Sequence, residues 1–142
     1  MNQFLEFNKQ VIEEFRANDG VCGGPFEGMP MILVNMVGAK SGRQLTTPLV
    51  YSTDGDDIVI IASAAGAPKH PNWYHNLVAN PTVNIEVGAD SWEATAELAE
   101  GDERRRLYDA QAEAMPQFKG YEESAGEVGR EIPVFKLVRA AS

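Results

Sequence analysis

Residues 31–48 read MILVNMVGAKSGRQLTTP: an apolar run from Met31 to Val37, a polar segment holding Lys40, Ser41, Gly42 and Arg43, then Gln44 to Pro48. The apolar run reads as a strand. The residues after Gly38 decide the topology. The order Gly38-Ala39-Lys40-Ser41-Gly42 is not a P-loop, which places its lysine after the final glycine and opens a helix. Here a second strand comes next, so the polar segment is a strand-to-strand loop. Glycine gives such a loop unusual φ/ψ, and its hydroxyls are neutral donors. With Lys40 and Arg43 as charged donors, it is competent to cradle a phosphate through backbone N–H groups. From these residues alone, a solvated turn and an anion site are both open.

The pattern outward from this stretch is one of hairpins. Residues 47–53 and 57–63 read as strands flanking Asp54-Gly55, a dipeptide that tolerates the positive φ of a tight turn. Val83, Ile85 and Val87 alternate with Asn84 and Glu86. After Gly88-Ala89-Asp90, Trp92, Ala94, Ala96 and Leu98 alternate with Glu93, Thr95 and Glu97, which gives each strand one apolar face. Ile132–Val138 reads as a sixth strand with Pro133 near its start. Phe4, Phe7, Val11 and Phe15 lie at helical spacing and predict an amphipathic helix over 3–18 that packs on a sheet. A glycine-rich linker occupies 19–29, and 102–114 reads as a helix supported by Asp102 and Arg106 at i,i+4. The expected fold is α+β, mainly β: about six antiparallel strands closed into a small barrel, with helices outside. The 142 residues suit a single domain over 1–142.

Charge and composition exclude several classes of function. With 21 acidic against 12 basic residues the chain carries −9, which repels the phosphates that nucleic-acid binding must neutralise. No stretch approaches the ~20 apolar residues of a membrane span, and an acidic amphipathic helix suits a core better than a membrane surface. The opening residues lack the basic and apolar regions of a secretory signal, and the lone Cys22 has no internal disulfide partner, so a cytoplasmic location is expected. His70 and His75 are five apart with no cysteine cluster, so no metal site is expected. There is no Gly-x-Ser-x-Gly elbow and no triad.

A second stretch, Ala62-Ser63-Ala64-Ala65-Gly66-Ala67-Pro68-Lys69-His70-Pro71, ends a strand in small residues that let a flat ligand approach the backbone. Pro71 then opens a short helix carrying Trp73, Tyr74, Asn76 and Leu77. Together with Thr46-Thr47-Pro48-Leu49, Ala79-Asn80-Pro81 and Arg130-Glu131-Ile132-Pro133-Val134, these stretches resemble the deazaflavin-dependent nitroreductase family. That family belongs to the split β-barrel flavin/deazaflavin oxidoreductase superfamily, and the likeness runs through nearly the whole chain.

The resemblance implies a split β-barrel, FMN-binding-like, that binds reduced 8-hydroxy-5-deazaflavin, the coenzyme factor 420. Its phosphate would lie on Lys40, Ser41, Gly42, Arg43, Thr47 and Pro48. Its ring would lie against Ala62, Ser63, Ala64, Ala65 and Gly66, with Trp73 and Asn76 bracing that turn. The reaction implied is hydride transfer to an electron-poor quinone, enone or nitro compound, with Ser63, Tyr121 or water supplying a proton. Phe118 stands where some nitro-reducing members have a tyrosine. Ala39, Leu45, Ala64 and Val78 stand where members commonly carry basic residues. Two other readings stay open: an FMN-dependent oxidoreductase on the same barrel, and a non-catalytic carrier of the coenzyme or of a lipid-like ligand. The chain would act as a monomer or homodimer, with no membrane span and no nucleic-acid partner.

Overall fold

The computed structural model describes residues 3–23, 28–63 and 70–139, with backbone alone for 3–7. Among them, four helices and seven strands run in chain order. These are α1 (Gln3–Ala17), β1 (Met31–Val37), β2 (Gln44–Val50), β3 (Ser52–Asp54), β4 (Asp57–Ile61), α2 (Asn72–Ala79), β5 (Thr82–Val87), β6 (Asp90–Ala99), α3 (Gly101–Ala114), α4 (Gln117–Glu127) and β7 (Val134–Arg139). All strand pairs are antiparallel, in the spatial order β2-β1-β5-β6-β7-β4-β3.

The two outermost strands of that order, β2 and β3, are separated in the chain by Tyr51 alone. One residue cannot cross an open seven-stranded sheet, so the sheet curls until its edges meet, which is the half-barrel. This explains the seventh strand. The run expected as one strand over 47–53 breaks at Tyr51, whose N–H still reaches Pro30 O on the β1 side at 3.1 Å, while Ser52 already pairs with Val59 of β4. β2 also begins earlier than expected, at Gln44. Pro48, which has no N–H to donate, is tolerated because β2 lies at an edge of the order.

The β3–β4 hairpin forms, but one residue later than expected. Asp54 pairs with Asp57, and Gly55-Asp56 makes the turn, with φ of 61° at Gly55. Asp54 thereby stays on the strand, where its carboxylate takes two bonds from Arg106 of α3, at 3.0 and 3.1 Å. Arg106 thus pairs across the fold, and not with Asp102 on its own helix. The i,i+4 pair that does form on α3 is Arg105–Asp109.

Three apolar clusters lie on the two faces of the sheet. Ile32, Val34, Met36, Ile58, Ile60, Ile85, Phe135 and Leu137 share the inside of the curl with Leu77 of α2. Alternate residues of the same strands face outward. Val59, Ile61 and Val134 pack under α3 and α4 against Leu107, Tyr108 and Phe118, and Met31 and Leu33 pack under α1 against Val11, Phe15 and Cys22. The expected period-2 burial holds for Val83 and Ile85, both buried. It fails at the far end of β6: Leu98 is exposed and Ala99 buried in the α3–α4 cluster, because there the strand's other face is covered. Among the described residues no helix is long and apolar enough to cross a membrane.

Candidate functional site

The loop from β1 to β2 closes on itself. Gly38 N–H donates to Arg43 O at 2.9 Å, and Gly42 N–H to Gly38 O at 3.0 Å. Gly42 takes a φ of 70°, open to glycine at little cost. Gly38 faces a different limit, since a Cβ there would stand 2.5 Å from Ser41 Oγ. That hydroxyl accepts Arg43 N–H at 3.2 Å.

Helix α2 holds the loop from outside. Asn76 Oδ1 accepts Ala39 N–H at 2.9 Å, Asn76 Nδ2 points to Met36 Sδ at 3.7 Å, and Asn80 Nδ2 donates to Val37 O at 3.3 Å. Of the six N–H groups from Gly38 to Arg43, four are therefore committed inside the protein. Those of Lys40 and Ser41 have no partner among the described residues. The side chains of Lys40 and Arg43 are exposed and likewise without a carboxylate, as are those of Lys9 and Lys119, whereas Arg16, Arg104, Arg105, Arg106 and Lys136 all have one. Two unpaired cations beside two open N–H groups fit a phosphate.

Thr46 and Thr47 lie on opposite faces of β2. Thr46 Oγ1 donates to Asn35 Oδ1 at 2.6 Å, and Asn35 Nδ2 to Glu86 Oε2 at 2.9 Å. Arg16 of α1 grips the same carboxylate with Nε and Nη2 at 3.1 and 2.8 Å. Thr47 stands opposite Val34 and Pro48 opposite Leu33. At two of the positions expected to be basic in relatives, Leu45 and Val78 are 42% and 53% exposed.

Ala62 and Ser63 come directly after the last ladder residue of β4, both buried. Ala62 N–H still reaches Pro133 O at 2.9 Å, and both carbonyls accept from Arg130, the Ser63 bond at 2.9 Å. Arg130 Nε donates to His70 Nδ1 at 2.8 Å. Burial lowers the His70 pKa below its usual 6.5, and the positive charges of Arg130 and His75 add to it. Burial also lowers the pKa of Arg130. Ala64, Ala65 and Gly66 lie outside the described residues. Trp73 packs on Phe135 with ring centroids 6.0 Å apart. Asn76, expected to brace the ring turn with Trp73, has its described side-chain bonds with Ala39 and Met36.

Tyr121, on α4, stacks edge-on to Phe118 at 5.1 Å and packs on the α3–α4 cluster. No described bond or ring contact joins it to Ser63 or to the 38–43 loop. The structural roles of Arg130 and Asn80 were not readable in the sequence, though both lie in stretches that carry the resemblance.

A curled antiparallel sheet with outer helices and a basic β1–β2 loop is the split-barrel architecture of deazaflavin-dependent reductases. A family model described as F420H(2)-dependent quinone reductase matches residues 7–139, and the chain belongs to that family. It is 43% identical over 83 residues to an F420H(2)-dependent quinone reductase of Mycobacterium tuberculosis, a span of 58% of this chain and 56% of that relative's length. A solved F420-H2 dependent reductase superposes with a TM-score of 0.69 at 37% identity, over 76% of this chain and 93% of the other. A second solved structure, described as a domain-swapped dimer, superposes with a TM-score of 0.71 at 33% identity, over 95% of this chain and 97% of the other.

Proposed function

We propose that this chain binds reduced 8-hydroxy-5-deazaflavin, the coenzyme factor 420, and directs its hydride to an electron-poor acceptor: a quinone first, an enone or nitro compound second. The observation that carries the reading is the β1–β2 loop, which holds Lys40 and Arg43 without carboxylate partners among the described residues, in a strongly acidic chain. Family membership supports the deazaflavin over FMN. When bound, the coenzyme supplies the hydride, so the chain needs no nucleophile of its own.

The chain's part is binding and orientation. Lys40 Nζ, the Arg43 guanidinium, Ser41 Oγ and the N–H groups of Lys40 and Ser41 hold the phosphate. Gly42 keeps the loop tight, and Thr47 and Pro48 continue the surface along β2. Ala62 and Ser63 form the described part of the wall for the ring, with Trp73 behind it on Phe135. Ser63 has its hydroxyl uncommitted among the described residues and is the hydrogen-bond donor to the reduced acceptor. Tyr121, packed against Phe118, contributes bulk on the acceptor side. With Leu45 and Val78 apolar, the coenzyme's oligoglutamate tail is held weakly. The chain works in the cytoplasm, which suits the free thiol of Cys22, and as a homodimer, a state supported by the dimeric relative.

The test is reoxidation of the reduced coenzyme by a naphthoquinone, monitored by absorbance with purified protein. The reading expects saturable acceleration with quinone, and slower turnover with a nitroaromatic. Coenzyme binding with no acceleration by any acceptor would make the protein a carrier and end the reductase assignment.

A further inference from the structure

One guanidinium joins groups that the sequence keeps far apart. Arg130 lies in the connection from α4 to β7, fixed there by its own N–H on Ala125 O at 2.9 Å. Its side chain reaches Ser63 O, 67 residues away, and His70 Nδ1, 60 residues away, and also donates to Ala62 O. The β4 ladder ends at Ile61, paired with Val134, so the carbonyls of Ala62 and Ser63 lie beyond it. The planar fork of an arginine can meet two adjacent carbonyls at once, which a lysine cannot. His70 in turn lies 4.4 Å from the Tyr74 ring of α2, the helix whose Asn76 and Asn80 hold the phosphate loop.

We infer that Arg130 is a positioning residue for hydride transfer: acting through neutral His70, it fixes the Ala62–Ser63 backbone relative to α2. The ring side and the phosphate side of the site are then parts of one frame, held by hydrogen bonds and by the His70–Tyr74 ring contact. This rests on the proposed function. Because Nδ1 accepts from Arg130, His70 carries its proton on Nε2. A second proton, on Nδ1, removes the acceptor and sets two cations face to face. Among the described residues, the charged and titratable groups around the pair include His75 and Tyr74 from α2, facing His70, and Tyr108 from α3, facing Arg130. The lowered pKa of His70 keeps the frame intact at neutral pH, and the frame loosens as pH falls below 6.5.

The experiment compares wild type with Arg130→Gln, Arg130→Lys, His70→Asn and His70→Leu. Naphthoquinone turnover is measured from about pH 5 to 8, beside a fluorescence titration of oxidised coenzyme and a melting curve for each variant. Arg130→Gln is expected to lower kcat roughly ten- to a hundredfold, the effect of a small misplacement, while coenzyme affinity changes little. Arg130→Lys is expected not to rescue it. In His70→Asn the amide Oδ1 replaces Nδ1 as acceptor without titrating while the ring contact with Tyr74 is lost, so kcat at neutral pH falls less than in His70→Leu and the acid limb of the profile flattens. His70→Leu is low throughout. Wild-type kcat in Arg130→Gln, or an acid limb unchanged in His70→Asn, overturns the inference; the histidine variant decides the matter should Arg130→Gln fail to fold. Failure of wild type itself to turn over quinone would instead overturn the proposed function.

Discussion

Asn76 Oδ1 accepts the N–H of Ala39 at 2.9 Å, tying helix α2 to a loop 37 residues earlier in the chain. The bond takes up one donor of the loop, and the N–H groups of Lys40 and Ser41 have no partner among the described residues. Replacing Asn76 by Leu frees Ala39 N–H to water, since that residue is exposed, so the fold loses little. The expected result is coenzyme affinity weakened roughly five- to tenfold, the worth of about one hydrogen bond, with melting nearly unchanged. Asn76→Asp keeps the acceptor but sets an anion beside the phosphate, and should bind more weakly still, most of all at low salt. Fluorescence titration of the two variants checks this, and equal affinity in all three proteins would remove Asn76 from the site.

The buried hydroxyl of Tyr108 donates to Phe118 O at 2.5 Å and locks α3 to the start of α4. Burial, helped by the negative charge of Glu122, pushes its pKa up from 10.0 to about 12. Tyr108→Phe removes this buried hydrogen bond and should cost about 1–2 kcal/mol, a melting shift of roughly 3–8 °C. Between pH 10 and about 12 the folded protein keeps a proton that the unfolded chain releases, so wild-type stability falls as pH rises through that window. The Phe variant should lack that slope in denaturant titrations over the same range.

How much of this was legible in the sequence depends on the range of the interaction. Val83 and Ile85 announce their strand because burial on one face imposes period 2, and Gly55 and Gly88 announce turns because each sits at positive φ. The break at Tyr51 has no local signal: Val50 and Tyr51 are strand formers, and only closure of the sheet divides the run. Helix α4 was missed for a related reason. Gly120 and Gly126 lower its intrinsic propensity, and what holds it is tertiary burial of Phe118 and Ala125. At the site, the cations and glycine of the loop were readable because they are contiguous. The partners chosen by Asn76, Arg106 and Arg130 lie dozens of residues away, where spacing carries no information.

Glu86 binds the N-terminal helix to the sheet through Arg16 and Asn35. The hydrogen bond from Arg16 lowers its pKa below 4.5 against the opposing effect of burial, with Asn35 assisting. A carboxylate with a depressed folded pKa stabilises above its unfolded value and loses that contribution as pH falls through the folded one. Glu86→Gln should therefore cost under about 1 kcal/mol at neutral pH, since Arg16 is half-exposed. The difference from wild type should vanish well below pH 4.5. Urea unfolding of both proteins at neutral and acid pH measures it, and a gap that persists in acid would contradict the assignment.

The most direct measurement is a fluorescence titration of wild type and the double variant Lys40→Ala, Arg43→Ala with oxidised deazaflavin coenzyme, run beside FMN. The account predicts saturable wild-type binding at micromolar affinity or tighter, weak FMN binding, and a loss of roughly ten- to a hundredfold in the double variant from two charge-assisted contacts. The melting temperature of the variant should match wild type, because neither side chain has a partner among the described residues. Equal coenzyme affinity in the two proteins, or tight FMN binding by wild type, would contradict the phosphate site and the function built on it.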